Sequence, residues 1–202
     1  MTLSDDAPLS KLDDFAWQSL AAAASSKRHP WNWGIVSSVD AQGRPQGRTV
    51  ILRDAIAESC TIDFHTDVRS AKTDQLDNGI SWVFYAENQQ VQLRVRGRAD
   101  IIGGAEADQV WQKVPVRSRS AYVSRMAPGI PFEGDQPPPT DDRQVTEETS
   151  ERGREYFRII RTHVTQMDLL YLRREGHVRA QLDFEPPAGS KPRQSAAHWI
   201  VP

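Results

Sequence analysis

The first half of the chain carries cations and hydroxyls at spacings that suit a phosphate group. Arg48 and Lys72 supply positive charge, and Thr66 and Ser70 supply hydroxyls. A short helix, predicted over 71–78, would begin beside Ser70 and direct its unbonded backbone N–H groups at an anion. Proteins bind phosphate with these same groups, through charge and directional hydrogen bonds. The residues therefore predict a cradle for a phosphate-bearing ligand.

Each of these residues also has an ordinary structural explanation. An arginine at a strand end and a lysine in a first helical turn usually meet solvent, and serine is a common helix cap that binds no ligand. A neighbouring strand carries a polar ladder on one face, formed by Gln92, Arg94, Arg96 and Arg98. Such a ladder is usually a solvated sheet face, although crowded like charges also need carboxylates or phosphate nearby. The combination, rather than any single residue, therefore predicts the phosphate site.

The elements that must position these groups are mostly strands. In the segment RTVILR, Arg48 and Arg53 fall on opposite faces, because side chains alternate along a strand. About six or seven such strands, joined mostly by turns, predict a mainly β fold, namely an antiparallel barrel or sandwich with peripheral helices. The sequence contains no GxGxxG or Walker motif that would favour a doubly wound sheet instead.

Length and local composition predict how the chain is organised. The 202 residues, 38% of them hydrophobic, suit a single domain over 1–202. An alanine-rich amphipathic pattern predicts an N-terminal helix at about 10–26. Prolines and glycines are dense at about 127–142, so we expect a flexible, exposed loop there.

The composition also argues against several partners and settings. A net charge of −2 suits neither nucleic acid nor an anionic membrane surface, since both attract positive charge. The single cysteine, Cys60, cannot form a disulfide within the chain, and no Cys or His cluster has zinc-ligand spacing. No apolar run approaches the ~18 to 20 residues that span a bilayer, and the N-terminus lacks the order of a signal peptide. We therefore expect a cytoplasmic protein without a metal, a nucleic-acid partner or a membrane anchor.

An ordered set of motifs links the chain to a known family. RTVILR is followed by FHTDVRSAK, then by WVFY and by Q-x-R-x-x-G in QLRVRG. In this order and spacing the motifs resemble the pyridoxamine 5'-phosphate oxidase-related, FMN-binding split-barrel family, and its FMN-binding branch more than the oxidase itself. The segment WQKVPVRSRSAYVSRMAPGIPF and the closing Trp-x-x-Pro extend the resemblance over roughly residues 12 to 202. It implies an antiparallel, Greek-key-like split β-barrel that binds FMN as a homodimer, with two sites at the interface.

The resemblance also implies which residues hold FMN. Arg48 and Lys72 would bind its phosphate, with Ser70 as a hydroxyl-bearing neighbour. The strand segment 49–51 would line the isoalloxazine ring, and Gln92 would reach the flavin from the partner subunit. The implied cofactor-binding residues are Arg48, Thr49, Val50, Ile51, Arg53, His65, Thr66, Ser70, Lys72, Gln92 and Arg179.

Departures from the oxidase pattern concern the reaction. Ala71 stands where the oxidase has a second phosphate-binding arginine, and Arg53 stands where it has a substrate-binding lysine. The oxidase's C-terminal arginine-leucine-histidine signature is not reproduced in GHVRAQ, and no catalytic base is evident. The resemblance therefore implies an FMN-dependent oxidoreductase of unknown small-molecule substrate. A genuine pyridoxamine or pyridoxine 5'-phosphate oxidase and a non-catalytic flavin-binding module are the alternatives.

Overall fold

Strands dominate the structure of this chain. A computed structural model describes residues 8–76, 79–138, 145–185 and 193–202. Nine strands lie within those ranges, and the α-helices are short apart from one near the N-terminus. No helix in this part of the chain is long and apolar enough to cross a membrane. The prediction of a mainly β fold with peripheral helices is confirmed.

The chain forms two compact units. The first comprises Met1–Phe64, Gln75–Asp100 and Arg161–Pro202, and the second comprises His65–Asp74 and Ile101–Ile160. Both units are therefore assembled from segments that alternate along the sequence. A single domain over 1–202 stays a prediction.

Nine strands, among the described residues, form one sheet. Their order is β2-β1-β5-β6-β7-β4-β3, with β8 paired to β7 and β9 paired to β8. The strands are β1 (Trp33–Val39), β2 (Pro45–Ile51), β3 (Asp54–Ile56), β4 (Thr61–Asp67), β5 (Ile80–Ala86), β6 (Val91–Ile102), β7 (Phe157–Tyr171), β8 (Val178–Glu185) and β9 (Arg193–Ile200). Pairings β1–β2, β1–β5, β3–β4, β5–β6, β7–β8 and β8–β9 are antiparallel. Because β2 ends the strand order, one of its edges pairs with no other described strand.

Aromatic rings fill the buried face of this sheet in the first unit. Trp82 and Phe84 stack with their ring centroids 5.5 Å apart, and the Trp82 indole N–H donates to Thr162 at 3.0 Å. Gly34 lies against the Phe84 ring, where an added Cβ would come within 2.6 Å of a ring carbon. The lack of a side chain at this position therefore lets β1 pack against the aromatic pair.

One α-helix of the described residues lies in the first unit and packs against its aromatic core. It is α1 (Leu12–Ser25), which lies within the predicted span of 10–26. The helix buries Phe15 and Leu20, and Phe15 meets Trp31 edge to face at 6.0 Å. Lys11 holds the N-cap position of this helix and makes no side-chain cap hydrogen bond. Burial of its apolar face, rather than capping, thus stabilises α1.

The second unit has its own small core. Trp111, Tyr122 and Phe157 are buried together, with ring centroids 5.3 to 5.7 Å apart. The Arg119 guanidinium is buried beside them and donates to Glu151 at 2.8 Å. The helices of this unit are α2 (Gly104–Trp111), α3 (Val116–Arg119) and α4 (Glu147–Ser150).

The predicted helix over 71–78 is wrong where the structure describes it. Only a short 3-10 turn forms, at Thr73–Gln75, and residues 77 and 78 lie outside the described part of the chain. The Thr73 hydroxyl lies 3.0 Å from the Val68 carbonyl and 2.8 Å from the Ser70 carbonyl. Side-chain bonds of this kind compete with the helical backbone pattern. Ser70 therefore caps no α-helix, and the described part of this segment offers no α-helix N-terminus to an anion.

Two strands are not predicted from the sequence. β3 (Asp54–Ile56) and β9 (Arg193–Ile200) lie in segments where no strand is named from the sequence. Three residues are too few to display an alternation, so β3 is recognisable only by its pairing with β4. In the proline-rich segment predicted over 127–142, residues 127–138 contain neither helix nor strand. The flexibility of that segment stays a prediction, and residues 139–142 lie outside the described part.

Candidate functional site

Arg48 on β2 is held by two neutral side chains. Its Nη1 donates to the Ser38 hydroxyl at 2.6 Å, and its Nη2 donates to the Gln75 carboxamide oxygen at 2.8 Å. The Ser38 hydroxyl in turn donates to the same Gln75 oxygen at 3.0 Å. Among the described residues, no carboxylate forms an ion pair with this guanidinium. Burial lowers the pKa of Arg48, but arginine stays charged in proteins, so the site keeps a full positive charge.

Lys72 lies with two of the predicted hydroxyls in the second unit. Its ammonium group donates to the Thr66 hydroxyl at 2.9 Å and to the Ser70 hydroxyl at 2.8 Å. Thr66 is buried and the other two residues are half-buried. A hydroxyl that accepts from an ammonium still carries a proton to donate. The structure therefore brings together a cation and hydroxyl donors, as the sequence predicts, without the helix N-terminus.

The open edge of β2 presents backbone groups. The Leu52 N–H donates to the Asn32 carbonyl at 2.9 Å, one step beyond the β1–β2 register. Because hydrogen-bonded and non-hydrogen-bonded pairs alternate in antiparallel strands, the N–H and C=O groups of Thr49 and Ile51 point away from β1. Both donors and acceptors are thus directed to the edge that no described strand covers.

The register divides the predicted flavin residues between two faces of the sheet. Thr49 is paired with Ile35, which is paired with Val83 in turn, and Gln92 is paired with Tyr85 on the same face. That face, the outer face, is open and combines the polar ladder of β6 with exposed apolar side chains: Ile35 is 50% exposed and Tyr85 is 43% exposed. The side chains of Arg48 and Val50 point to the opposite face, because they alternate with Thr49.

Arg179 on β8 is occupied by a carboxylate. Its Nε and Nη2 donate to the two Asp168 oxygens at 2.9 and 2.7 Å, and these hydrogen bonds raise the pKa of Arg179. Arg94 adds a longer contact to Asp168, at 3.5 Å. The polar ladder predicted on β6 therefore meets a carboxylate of β7, and the charge of Arg179 is balanced within the chain.

Gln92 and Arg179 are far from β2 across the sheet. Three strand spacings separate β2 from β6, and five separate β2 from β8. At a spacing of about 4.8 Å, these separations are about 14 and 24 Å. Neither Gln92 nor Arg179 therefore lies on a strand that adjoins β2 in the sheet.

Two further predicted residues have separate surroundings. The His65 ring meets Phe157 edge to face at 4.7 Å between centroids, within the second unit. The Arg53 side chain is exposed, and its backbone N–H donates to the Asp63 carbonyl at 2.8 Å. The side-chain hydrogen bonds of Arg48 join it to Ser38 and Gln75, not to these two residues.

Sequence reasoning missed Ser38 and Gln75. The hairpin register offers a signal for the first, because Ser38 is paired with Gln46 and so shares a face with Arg48 two residues further on. Gln75 is 27 residues from Arg48 along the chain. No periodic pattern reports a contact of that separation, so only the folded structure reveals it.

Comparisons with known proteins show which family the chain resembles. A family model described as "Pyridoxamine 5'-phosphate oxidase, FMN-binding domain" matches residues 14–103. The pyridoxine/pyridoxamine 5'-phosphate oxidase of Hyphomonas neptunium is 30% identical over 145 residues, which cover 71% of this chain and 59% of that protein. This chain thus spans about three fifths of that relative's length.

Solved structures share the fold over nearly the whole chain. A pyridoxamine 5'-phosphate oxidase-related, FMN-binding protein from Nostoc punctiforme matches with a TM-score of 0.67 and 22% identity, covering 93% of this chain and 96% of that one. PhzG from Burkholderia lata, solved in complex with tetrahydrophenazine-1-carboxylic acid, matches with a TM-score of 0.65 and 16% identity, covering 98% and 95%. At these identities the likeness concerns the fold alone.

Proposed function

The chain belongs to the pyridoxamine 5'-phosphate oxidase-related family of FMN-binding split-barrel proteins, and from this premise we propose that it binds FMN and acts as a flavin-dependent oxidoreductase on a small molecule. FMN supplies hydride or electron transfer when it is bound, whereas the protein binds and orients the reactants. No residue is assigned as a catalytic acid or base. The proposal retains the cytoplasmic setting predicted from the sequence.

The single observation that carries the proposal is the uncompensated charge of Arg48. Its guanidinium is half-buried and contacts a hydroxyl and a carboxamide, not a carboxylate. A buried cation is stable when an anion matches it, because burial removes the water that would otherwise solvate the charge. A phosphate monoester such as that of FMN supplies that anion and accepts the remaining guanidinium protons.

Lys72 and its two hydroxyl neighbours are the second proposed phosphate-binding group. The ammonium adds charge, and the hydroxyls of Thr66 and Ser70 add directional donors. Ala71 offers no charged side chain, so the group contains one cation where the oxidase pattern has two. We also assign His65 and Arg53 to the cofactor's surroundings, on the strength of the family match alone.

The edge of β2 is the proposed support for the flavin ring. Flavin presents N–H and C=O groups along one ring edge, and the outward backbone groups of Thr49 and Ile51 complement them. Val50 contributes from the opposite face of the strand. Because β2 is an edge strand, its side chains on both faces and its backbone are accessible from one side.

A homodimer completes the proposed site. A second copy would supply Gln92 to the same flavin, as the resemblance to the family implies, since β6 does not adjoin β2 within one chain. The proposed flavin contact of Arg179 rests on the same resemblance. The outer face supports this assembly, because Trp33 and Ile35 expose 57% and 50% of their surface on the face that carries Gln92. Exposed apolar side chains of this size commonly mark an interaction surface. We therefore propose two FMN sites at a subunit interface.

One observation favours a specific alternative, a genuine pyridoxamine or pyridoxine 5'-phosphate oxidase. The relative from Hyphomonas neptunium carries that name at 30% identity. Ala71 and Arg53 weigh against it, since they replace an arginine and a lysine of the oxidase pattern. Formation of pyridoxal 5'-phosphate and hydrogen peroxide from pyridoxamine 5'-phosphate would establish the alternative.

Flavin binding without turnover of any reductant or substrate would leave a non-catalytic flavin module.

The test of the proposed phosphate site is the substitution Arg48→Ala. Loss of a charge-assisted phosphate contact should weaken FMN binding by about ten- to a hundredfold, whereas riboflavin, which lacks the phosphate, should bind with nearly unchanged affinity. Fluorescence titration of the apo-protein measures both affinities. Arg44→Ala is the matched control, because Arg44 lies on the same hairpin but pairs with Asp40 at 2.8 Å. An unchanged FMN affinity in Arg48→Ala would show that the phosphate lies elsewhere.

A further inference from the structure

We infer that Gln75, together with Ser38, is a positioning residue that fixes the Arg48 guanidinium for an anion and leaves its charge unneutralised. The inference rests on the proposed function, since the anion is the phosphate of FMN. Gln75 acts on the ligand only through Arg48, which it contacts directly. Its carboxamide oxygen accepts from both Arg48 and Ser38, at 2.8 and 3.0 Å, which fixes the orientation of all three side chains.

The neutrality of the two acceptors distinguishes Arg48 from two other half-buried arginines of the first unit, Arg161 and Arg179. Arg161 donates to the two Asp63 oxygens at 3.1 and 2.8 Å. Arg179 is paired in the same bidentate way with Asp168. At these two arginines the fold supplies a carboxylate. At Arg48 it supplies a carboxamide, which accepts the hydrogen bond without cancelling the charge.

The geometry also leaves part of the guanidinium available. A guanidinium has five N–H donors in a planar fork, and the Ser38 and Gln75 contacts engage one N–H on each terminal nitrogen. The remaining donors lie in the same plane and are held in one orientation by the two contacts. Less conformational entropy is then lost when an anion binds, because the arginine is already ordered.

The decisive substitution is Gln75→Glu, which keeps the shape and the acceptor oxygen and adds one negative charge. A glutamate here would pair with Arg48 in the way that Asp168 pairs with Arg179, and would compete with the phosphate. We expect FMN affinity to fall by about ten- to a hundredfold, and riboflavin affinity to change by less than about threefold. Isothermal or fluorescence titration of each apo-protein gives the ratio of the two affinities.

A matched control tests for a general charge effect. Gln42→Glu makes the same substitution on the exposed β1–β2 turn, where the Gln42 oxygen also accepts from an arginine, Arg44, at 3.2 Å. This variant should bind both ligands as the wild type does. Ser38→Ala removes the other acceptor and should weaken FMN binding by a smaller factor, again with little effect on riboflavin. Urea unfolding of each apo-protein checks that the variants remain folded.

Three outcomes would overturn the inference, and one of them identifies a different failure. Wild-type FMN affinity in Gln75→Glu would show that Gln75 does not control the charge of Arg48. An equal loss of FMN and riboflavin binding would show a merely structural role. If the wild type itself binds FMN no more tightly than riboflavin, the proposed phosphate site fails, and the inference fails with it.

Discussion

Arg48 and Arg179 have opposite electrostatic surroundings although the sequence predicts a flavin contact for both. Arg179 is bound by the two oxygens of Asp168, whereas Arg48 meets a serine and a glutamine. An arginine already paired with a carboxylate has little charge left for a ligand, and an arginine with neutral partners retains it. The residue types alone cannot distinguish these cases. The flavin contact of Arg179 stays a prediction.

The position of Cys60 should protect its thiol from alkylation. It is buried and takes a left-handed backbone conformation, with φ of 49°. Burial, together with the nearby Asp13 carboxylate, raises the pKa of the thiol to about 11. Since the thiolate is the reactive form, the native thiol should be alkylated by iodoacetamide near pH 8 about a hundred times more slowly than in urea-unfolded protein.

Mass spectrometry after timed quenching measures the alkylation of Cys60. Comparable rates in native and unfolded protein would contradict the protection. The same pKa shift has a consequence for stability: the unfolded chain loses this proton at a lower pH than the folded chain. The free energy of unfolding should therefore fall as the pH rises through the alkaline range toward about 11.

At the scale of elements, the close approach of β6 and β7 depends on Gly97. A Cβ at this position would overlap the His163 carbonyl and come within 2.9 Å of the Thr162 methyl group. Gly97→Ala should therefore lower the free energy of unfolding by about 1 to 3 kcal/mol or prevent folding, because backbone must move to make room. Urea denaturation measures the change.

Gly47→Ala provides the matched control for that prediction. Gly47 also lies within a strand, and an added Cβ would have no atom within 4 Å. Its stability should stay within about 0.5 kcal/mol of the wild type. Equal effects of the two substitutions would show that close packing of β6 and β7 is not what Gly97 provides.

The strands differ in how far the sequence predicts them. The β1–β2 hairpin follows from alternating residues around a turn-rich segment, and the two faces of RTVILR follow from the two-residue repeat of a strand. β3 is too short to show any repeat, and the Thr73 hydroxyl redirects a segment that otherwise resembles a helix. Arg48 is predictable by type and position, whereas its partners Ser38 and Gln75 depend on strand register and on a distant contact. Local sequence patterns therefore predict most strands and the position of Arg48. The uncharged side chains that surround its guanidinium become known only from the tertiary structure.

At the scale of the whole molecule, the proposed site requires two copies of the chain. The outer face of the sheet carries both Gln92 and exposed apolar side chains, so disruption of this face should separate the subunits and weaken FMN binding together. Ile35→Asp places a charge on that face, at a side chain that is 50% exposed. We expect a monomer by analytical ultracentrifugation and a loss of FMN affinity of about tenfold or more, because apolar burial drives association and a buried charge opposes it.

Ile56→Asp is the control for the dimer prediction. Ile56 lies on β3, at the opposite end of the strand order from β2, and is 36% exposed. This variant should keep both the wild-type mass in solution and the wild-type affinity. An Ile35→Asp monomer that binds FMN as tightly as the wild type would contradict the contribution of Gln92 from a partner subunit.

Titration of the purified apo-protein with FMN, with riboflavin in parallel, tests the central claim most directly. Bound flavin is followed through its absorbance near ~450 nm and its fluorescence. The proposed site predicts saturation at one FMN per chain, with FMN bound at least about tenfold more tightly than riboflavin because Arg48 contacts the phosphate. A protein that leaves the FMN spectrum unchanged, or that binds the two flavins equally, would contradict it.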